Sequence, residues 1–117
     1  MPTLDRFLIP LVTESGSDLH LSAGRPPFMR IHGTLAPVPG EPLLTSMRIL
    51  ELLREIMPTQ NIEELEREWD TDCAYEIPGT ARFRVNGFRD MHGFGAVVRV
   101  IPELIPTFEE LNLPEVL

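Results

Sequence analysis

From Asp70 to Ile101 apolar and polar residues alternate in three runs separated by two turn signals: DTDCAYEI, Pro78-Gly79, ARFRVNGFR, DMHG and FGAVVRVI. Successive side chains of a strand point to opposite faces, so alternation sustained this long dictates strands and not a helix. The apolar sets also fix how the strands pair, because a slip of one residue would turn all of them to water. Phe83 and Val85 share a face with Cys73, Tyr75 and Ile77, and with Ala96, Val98 and Val100 of the third strand. With a four-residue loop at Asp90–Gly93, Phe83 pairs with Val100 and Val85 with Val98.

That register sets Arg84 directly across from Arg99, with Arg82 and Asn86 on the same face. Two guanidiniums opposed on neighbouring strands cost stability unless an anion lies between or above them. Asp70, Asp72 and Glu76 alternate along the preceding strand toward that same face. Cross-strand ion pairs with these acids would make it an ordinary polar sheet surface. Spacing leaves both readings open, the ion-paired surface and the anion site.

Upstream, Leu4, Phe7, Leu8, Leu11 and Val12 recur at helical spacing, so residues 3–15 are predicted to be an amphipathic helix closed by Gly16 and kinked at Pro10. SDLHLSAG reads as a short half-buried strand, and Phe28 to Leu35 as two strands around a tight His32-Gly33 turn. Pro37, Pro39, Gly40 and Pro42 make a rigid loop. Thr45 caps a helix over 46–57 that Pro58 stops, and Thr59 caps another over 60–68 with a solvated acidic side of Glu63, Glu64, Glu66 and Glu68. Helices collected early and a meander late predict one α+β domain, an antiparallel sheet covered on one face by helices.

The chain of 117 residues carries a formal net charge of −8. A negative field of that size argues against nucleic-acid binding. All ten of its basic residues apart from histidine are arginine, so an anion site here would use guanidinium forks, which grip phosphate or carboxylate bidentately. The first residues, MPTLDRFLIPLVTESG, lack the basic region and cleavage site of a signal peptide, and no apolar run is long enough to cross a bilayer, which makes cytoplasm the expected compartment. The lone Cys73 reads as a small hydrophobe. Asp18 and His20 share a strand face in the manner of a metal pair, but no third ligand stands near them in sequence. His32 and His92 sit beside glycines in turns, Arg89 stands at a hairpin tip as a surface residue, and neither GxxxxGK[ST] nor GxGxxG occurs. In IPTFEELNLPEVL, Thr107 and Glu110 form a capping box, and Pro114 takes a first-turn position. A helix is expected to begin there, as in the front part of a longer protein.

Three phrases in this order and at these separations, SGSDLHLSAGRPPFMRIHGTL, FRVNGFRDMHGFGAVVRVIP and IPTFEELNLPEVL, resemble the N-terminal domain of the PilT family. These are the type IV pilus retraction (twitching motility) ATPases of the bacterial type II/IV secretion ATPase superfamily. The resemblance runs from about Leu4 to Leu117. It implies a PAS-like domain over residues 1–105, with 106–117 as the linker into a C-terminal RecA-like ATPase domain absent from this chain. The family's P-loop and its Walker, Asp-box and His-box residues follow the stretch matching LPEVL, so the fragment alone is expected not to hydrolyse ATP.

For the full-length protein the resemblance implies ATP and Mg2+ as cofactors. The implied partners are its own ATPase domain, neighbouring subunits of a homohexamer and the pilus inner-membrane platform protein. The implied location is the cytoplasm, at the inner face of the inner membrane. Carried onto this sequence, the family's γ-phosphate contacts fall on Arg84 and Arg99, with Arg82 and Asn86 as their neighbours. Two other readings stand beside it: a free-standing PAS-like ligand-sensing or interaction module, and an accessory paralogue of the pilus motor.

Overall fold

The computed structural model describes residues 1–102. The elements run α1 (Asp5–Thr13), β1 (Gly16–Ser22), β2 (Phe28–Ile31), β3 (Thr34–Pro37), α2 (Ser46–Arg54), α3 (Thr59–Glu68), β4 (Asp70–Ile77), β5 (Ala81–Asp90) and β6 (Gly93–Ile101). All six strands form one sheet in the order β3-β2-β1-β6-β5-β4, and every pairing is antiparallel. The early β1–β3 meander and the late β4–β6 meander therefore join along β1 and β6. That junction is long-range and decides what surrounds Arg99.

One row of the sheet shows why its two faces differ. Leu19, Val98, Val85 and Cys73 stand side by side across β1, β6, β5 and β4, and the first three are fully buried. All three helices cover this face: α1 lies on β1, α2 on β1 and β6, and α3 on β4 and β5. At Gly87 the helices come so near that an added Cβ would stand 3.1 Å from Met57 and 3.4 Å from Leu65. The α+β architecture with one covered face is as expected. The registers Phe83–Val100, Val85–Val98 and Arg84–Arg99 also match.

The differences lie at element ends. Helix α1 closes at Thr13 and not at 15, because Ser15 takes the left-handed conformation at φ 60°. Gly16 opens β1, where an added Cβ would collide with Leu11 of α1. Pro10 is accommodated within α1. Helix α2 ends at Arg54, and the next residues tighten into i→i−3 bonds, Glu55 N–H to Leu52 O at 3.2 Å and Ile56 N–H to Leu53 O at 3.1 Å. Thr45 caps α2 as expected, its hydroxyl accepting from the Arg48 N–H at 3.0 Å. Pro58, not Thr59, occupies the cap of α3, and Thr59 is its first helical residue. Strands β5 and β6 continue to Asp90 and Gly93, which shortens the turn to Met91-His92, and Asp90 Oδ1 accepts from the His92 N–H at 2.8 Å. The helical turn expected around Thr107 and the linker over 106–117 lie outside the described residues.

One buried polar contact ties the start of α1 to the edge strand β4. The Tyr75 hydroxyl donates to Asp5 Oδ1 at 2.6 Å, and Asp5 is 4 % exposed. Removing the donor leaves a buried carboxylate oxygen short of a partner, so Tyr75→Phe is expected to destabilise the chain by about 1–3 kcal/mol in a urea titration. A change below about 0.3 kcal/mol would show the contact to be dispensable.

Candidate functional site: an arginine face on the open side of the sheet

On β5 the side chains of Arg82, Arg84 and Asn86 alternate with buried Ala81, Phe83, Val85 and Gly87, and so project from the uncovered face. The covered residues are held by the helices, so the arginines cannot rotate inward without unpacking the core. Arg84 lies directly opposite Arg99 of β6, Arg82 opposite Ile101 and Asn86 opposite Val97. Arg84, Arg99 and Arg82 are all exposed.

The acids of β4 answer only part of this charge. Arg84 Nε stands 3.7 Å from Asp72 Oδ1, with 67 % of the arginine side chain exposed. A loose, solvated pair of this kind is worth about 0–1 kcal/mol and yields readily to a better anion. Glu76 pairs in register with Arg82 without forming an ion pair. Asp70 accepts instead from Asn86 Nδ2 at 3.1 Å, and that same nitrogen reaches Thr71 O at 3.2 Å. Asn86 therefore has its donor committed to β4 and offers a ligand mainly its carbonyl oxygen. Among the described residues neither Arg82 nor Arg99 has an ion pair within 4 Å.

Sequence reasoning missed what flanks Arg99 on its other side. Because β1 borders β6, Asp18 is the direct cross-strand partner of Arg99, and Arg30 of β2 is the next residue in the row. Row order across the open face is Arg30, Asp18, Arg99, Arg84. The polar alternation of Asp18 and His20 was visible in the sequence, but the identity of the neighbouring strand was not. Burial opposes ionisation of Asp18, yet hydrogen bonds from Ser17 and His20 and the nearby charges of His20 and Arg30 outweigh it and hold the carboxyl below its ordinary range. Asp18 is thus engaged by Ser17, His20 and Arg30 together. Among the described residues no three His, Cys, Asp or Glu side chains are grouped to hold a metal ion.

Arg89 is not merely a surface residue. Its guanidinium lies 4.9 Å from the Trp69 ring centroid and 5.2 Å from that of Phe94, so it braces the hairpin tip through cation–π contact. A separate groove of about 540 Å³ lies between α1 and the β2–β3 hairpin, with Phe7, Pro10, Met29, Ile31, Ala36 and Val38 among its lining. Among the described residues no helix is long and apolar enough to cross a membrane.

No family model matches the chain. It is 42 % identical over 103 residues to the type IV pilus retraction ATPase PilT of Pseudomonas aeruginosa, an alignment covering 88 % of this chain and 30 % of that protein. It is 35 % identical over 113 residues to the type IV pilus ATPase PilU of the same organism, covering 97 % of this chain and 29 % of that one. Among solved structures, the pilus retraction motor PilT with bound ADP superposes with a TM-score of 0.79 at 29 % identity, over 94 % of this chain and 32 % of that chain. The chain is homologous to the N-terminal domain of the type II/IV secretion ATPases.

The Legionella pneumophila ATPase DotB shares the fold of this secretion-ATPase domain at a TM-score of 0.75 and 26 % identity, over 96 % of this chain and 32 % of that one. The domain thus spans about 30 % of the length of the curated relatives it matches. The α+β sheet with three helices is the fold of the PilT N-terminal domain.

Proposed function

We propose that this chain is the PAS-like N-terminal domain of a hexameric, ATP-driven motor that retracts type IV pili, with residues 1–105 as the domain and 106–117 as its linker. In this reading Arg84 and Arg99 reach the γ-phosphate of ATP held at the cleft with the C-terminal RecA-like domain. The observation that carries it is the opposed Arg84–Arg99 pair, exposed on the open face and met, among the described residues, by one loose ion pair, Arg84 to Asp72. Cationic forks so placed fit a polyphosphate. Exposed donors that are already positioned stabilise charge developing during phosphoryl transfer without reorganising. Loss of the γ-phosphate on hydrolysis removes their ligand, and the freed domain turns relative to the ATPase core.

ATP and Mg2+ are the cofactors of this motor. The arginine face fits the phosphates, and the metal's ligands are assigned to the ATPase domain. Neighbouring subunits and the inner-membrane platform protein are its partners, at the cytoplasmic side of the inner membrane. In the bacterium that carries it, replacing both Arg84 and Arg99 by alanine in the full-length gene is expected to abolish twitching while the protein accumulates normally. Undiminished twitching would overturn the assignment.

The groove between α1 and β2–β3 supports a second reading, a ligand-sensing PAS-like module. The reading frame after Leu117 separates the two. A GxxxxGK[ST] within a few dozen codons belongs to the motor, and a stop codon belongs to the module.

A further inference from the structure

Three polar or charged side chains are buried among the described residues, Asp5, Asp18 and Thr71, and only Asp18 belongs to the open face of the sheet. Its direct neighbours on both sides are arginines, Arg30 on β2 and Arg99 on β6. Arg30 engages it, with Nε 3.7 Å from Asp18 Oδ2. Ser17 donates to Oδ1, and His20 Nε2 contacts Oδ2. The other end of the Arg30 guanidinium is fixed as well, Nη1 donating to the Gly33 carbonyl of the β2–β3 turn at 3.3 Å. Arg99 stands equally close in register, yet among the described residues it has no ion pair.

We propose that Arg30 is a positioning residue for the arginine site: by occupying Asp18 together with Ser17 and His20, it keeps Arg99 from turning onto that carboxylate and leaves it available to a polyphosphate. Ser17 and His20 stay on Asp18 when Arg30 is removed, but the nearly buried carboxylate then loses the charge of its flanking guanidinium, and a buried charge gains from every cation brought beside it. With Arg30 removed, the nearest cation across a strand is Arg99, whose Cβ lies within about 5 Å in antiparallel pairing. The ion pair so formed competes directly with phosphate. This inference rests on the reading of Arg84 and Arg99 as phosphate ligands, and its test separates the two.

The measurement is the Kd of the full-length protein for a non-hydrolysable ATP analogue with Mg2+. Arg30→Met keeps the apolar stem at this half-exposed position and removes the charge. It is expected to weaken binding about fivefold. Arg30→Gln is expected to do the same, which guards against a packing artefact peculiar to methionine. Adding Asp18→Asn to Arg30→Met should return affinity to near the wild-type value, since a neutral amide does not capture Arg99. A merely structural role for Arg30 would leave the double variant as weak as the single one, or weaker. Wild-type affinity in both Arg30 variants, or failure of Asp18→Asn to rescue, overturns the proposal while Arg99→Ala still weakens binding. Wild-type affinity in Arg99→Ala overturns the phosphate reading itself, and this inference with it.

Discussion

If this domain belongs to a pilus motor as proposed, Arg84→Ala and Arg99→Ala in the full-length protein are each expected to lower ATP turnover about 10²–10³-fold, the loss that follows when one preorganised donor to a charged transition state is removed. Both side chains are exposed, and among the described residues Arg84 has as its ion partner only the loose contact to Asp72 at 3.7 Å. Truncation therefore leaves the core intact, and the unfolding midpoint should move by no more than about 4 °C, because such a pair contributes about 0–1 kcal/mol. Arg99→Lys is expected to recover only part of the rate, since an ammonium is a point charge without the guanidinium's bidentate fork. Steady-state turnover with a parallel melting curve checks this. Wild-type rates in both alanine variants would sink the assignment.

The second large effect falls on the other face of the same strand. Phe83 is fully buried, stands between Tyr75 and Val100 in register, and stacks on Tyr75 with ring centroids 6.3 Å apart. Phe83→Ala is expected to cost about 3–5 kcal/mol from lost burial and the cavity left behind. Domains of this size are stable by only about 5–15 kcal/mol, so much of the folding free energy goes with one side chain. Urea titration of the 117-residue chain should show a midpoint shifted far toward zero or no cooperative transition. A loss under about 1 kcal/mol would mean that Phe83 does not anchor the sheet to its helices. One residue along, Arg84→Ala should leave that titration nearly unchanged. The contrast between adjacent positions is the stability counterpart of the two-faced sheet.

How far the sequence disclosed this arrangement depends on the range of the interactions. The β4–β5–β6 meander was legible because period-two alternation and two turn signals are local, and only one register turns Phe83, Val85, Val98 and Val100 to the covered face together. The opposition of Arg84 and Arg99 followed from that register alone. Element ends were less legible, since the left-handed turn at Ser15 and the tightened last turn of α2 depend on packing between elements. The neighbour of β6 was not legible. Nothing near Asp18 in sequence says that it will lie beside Arg99, 81 residues away; only the joining of two meanders through β1 and β6 puts it there. The same topology turned an apparent Asp18–His20 metal pair into part of an arginine row. It also showed that Asn86 spends its donor on β4.

The proposed contact of the arginine pair with nucleotide is tested most directly by comparing two ligands in one variant. The full-length protein carrying both Arg84→Ala and Arg99→Ala is titrated with ADP and with a non-hydrolysable ATP analogue, each with Mg2+. If the pair reaches the γ-phosphate, affinity for the analogue falls at least about tenfold, as expected for the loss of charge-assisted hydrogen bonds, while affinity for ADP stays at the wild-type value. An equal loss for both ligands, or no loss for either, would contradict a γ-phosphate contact from this face.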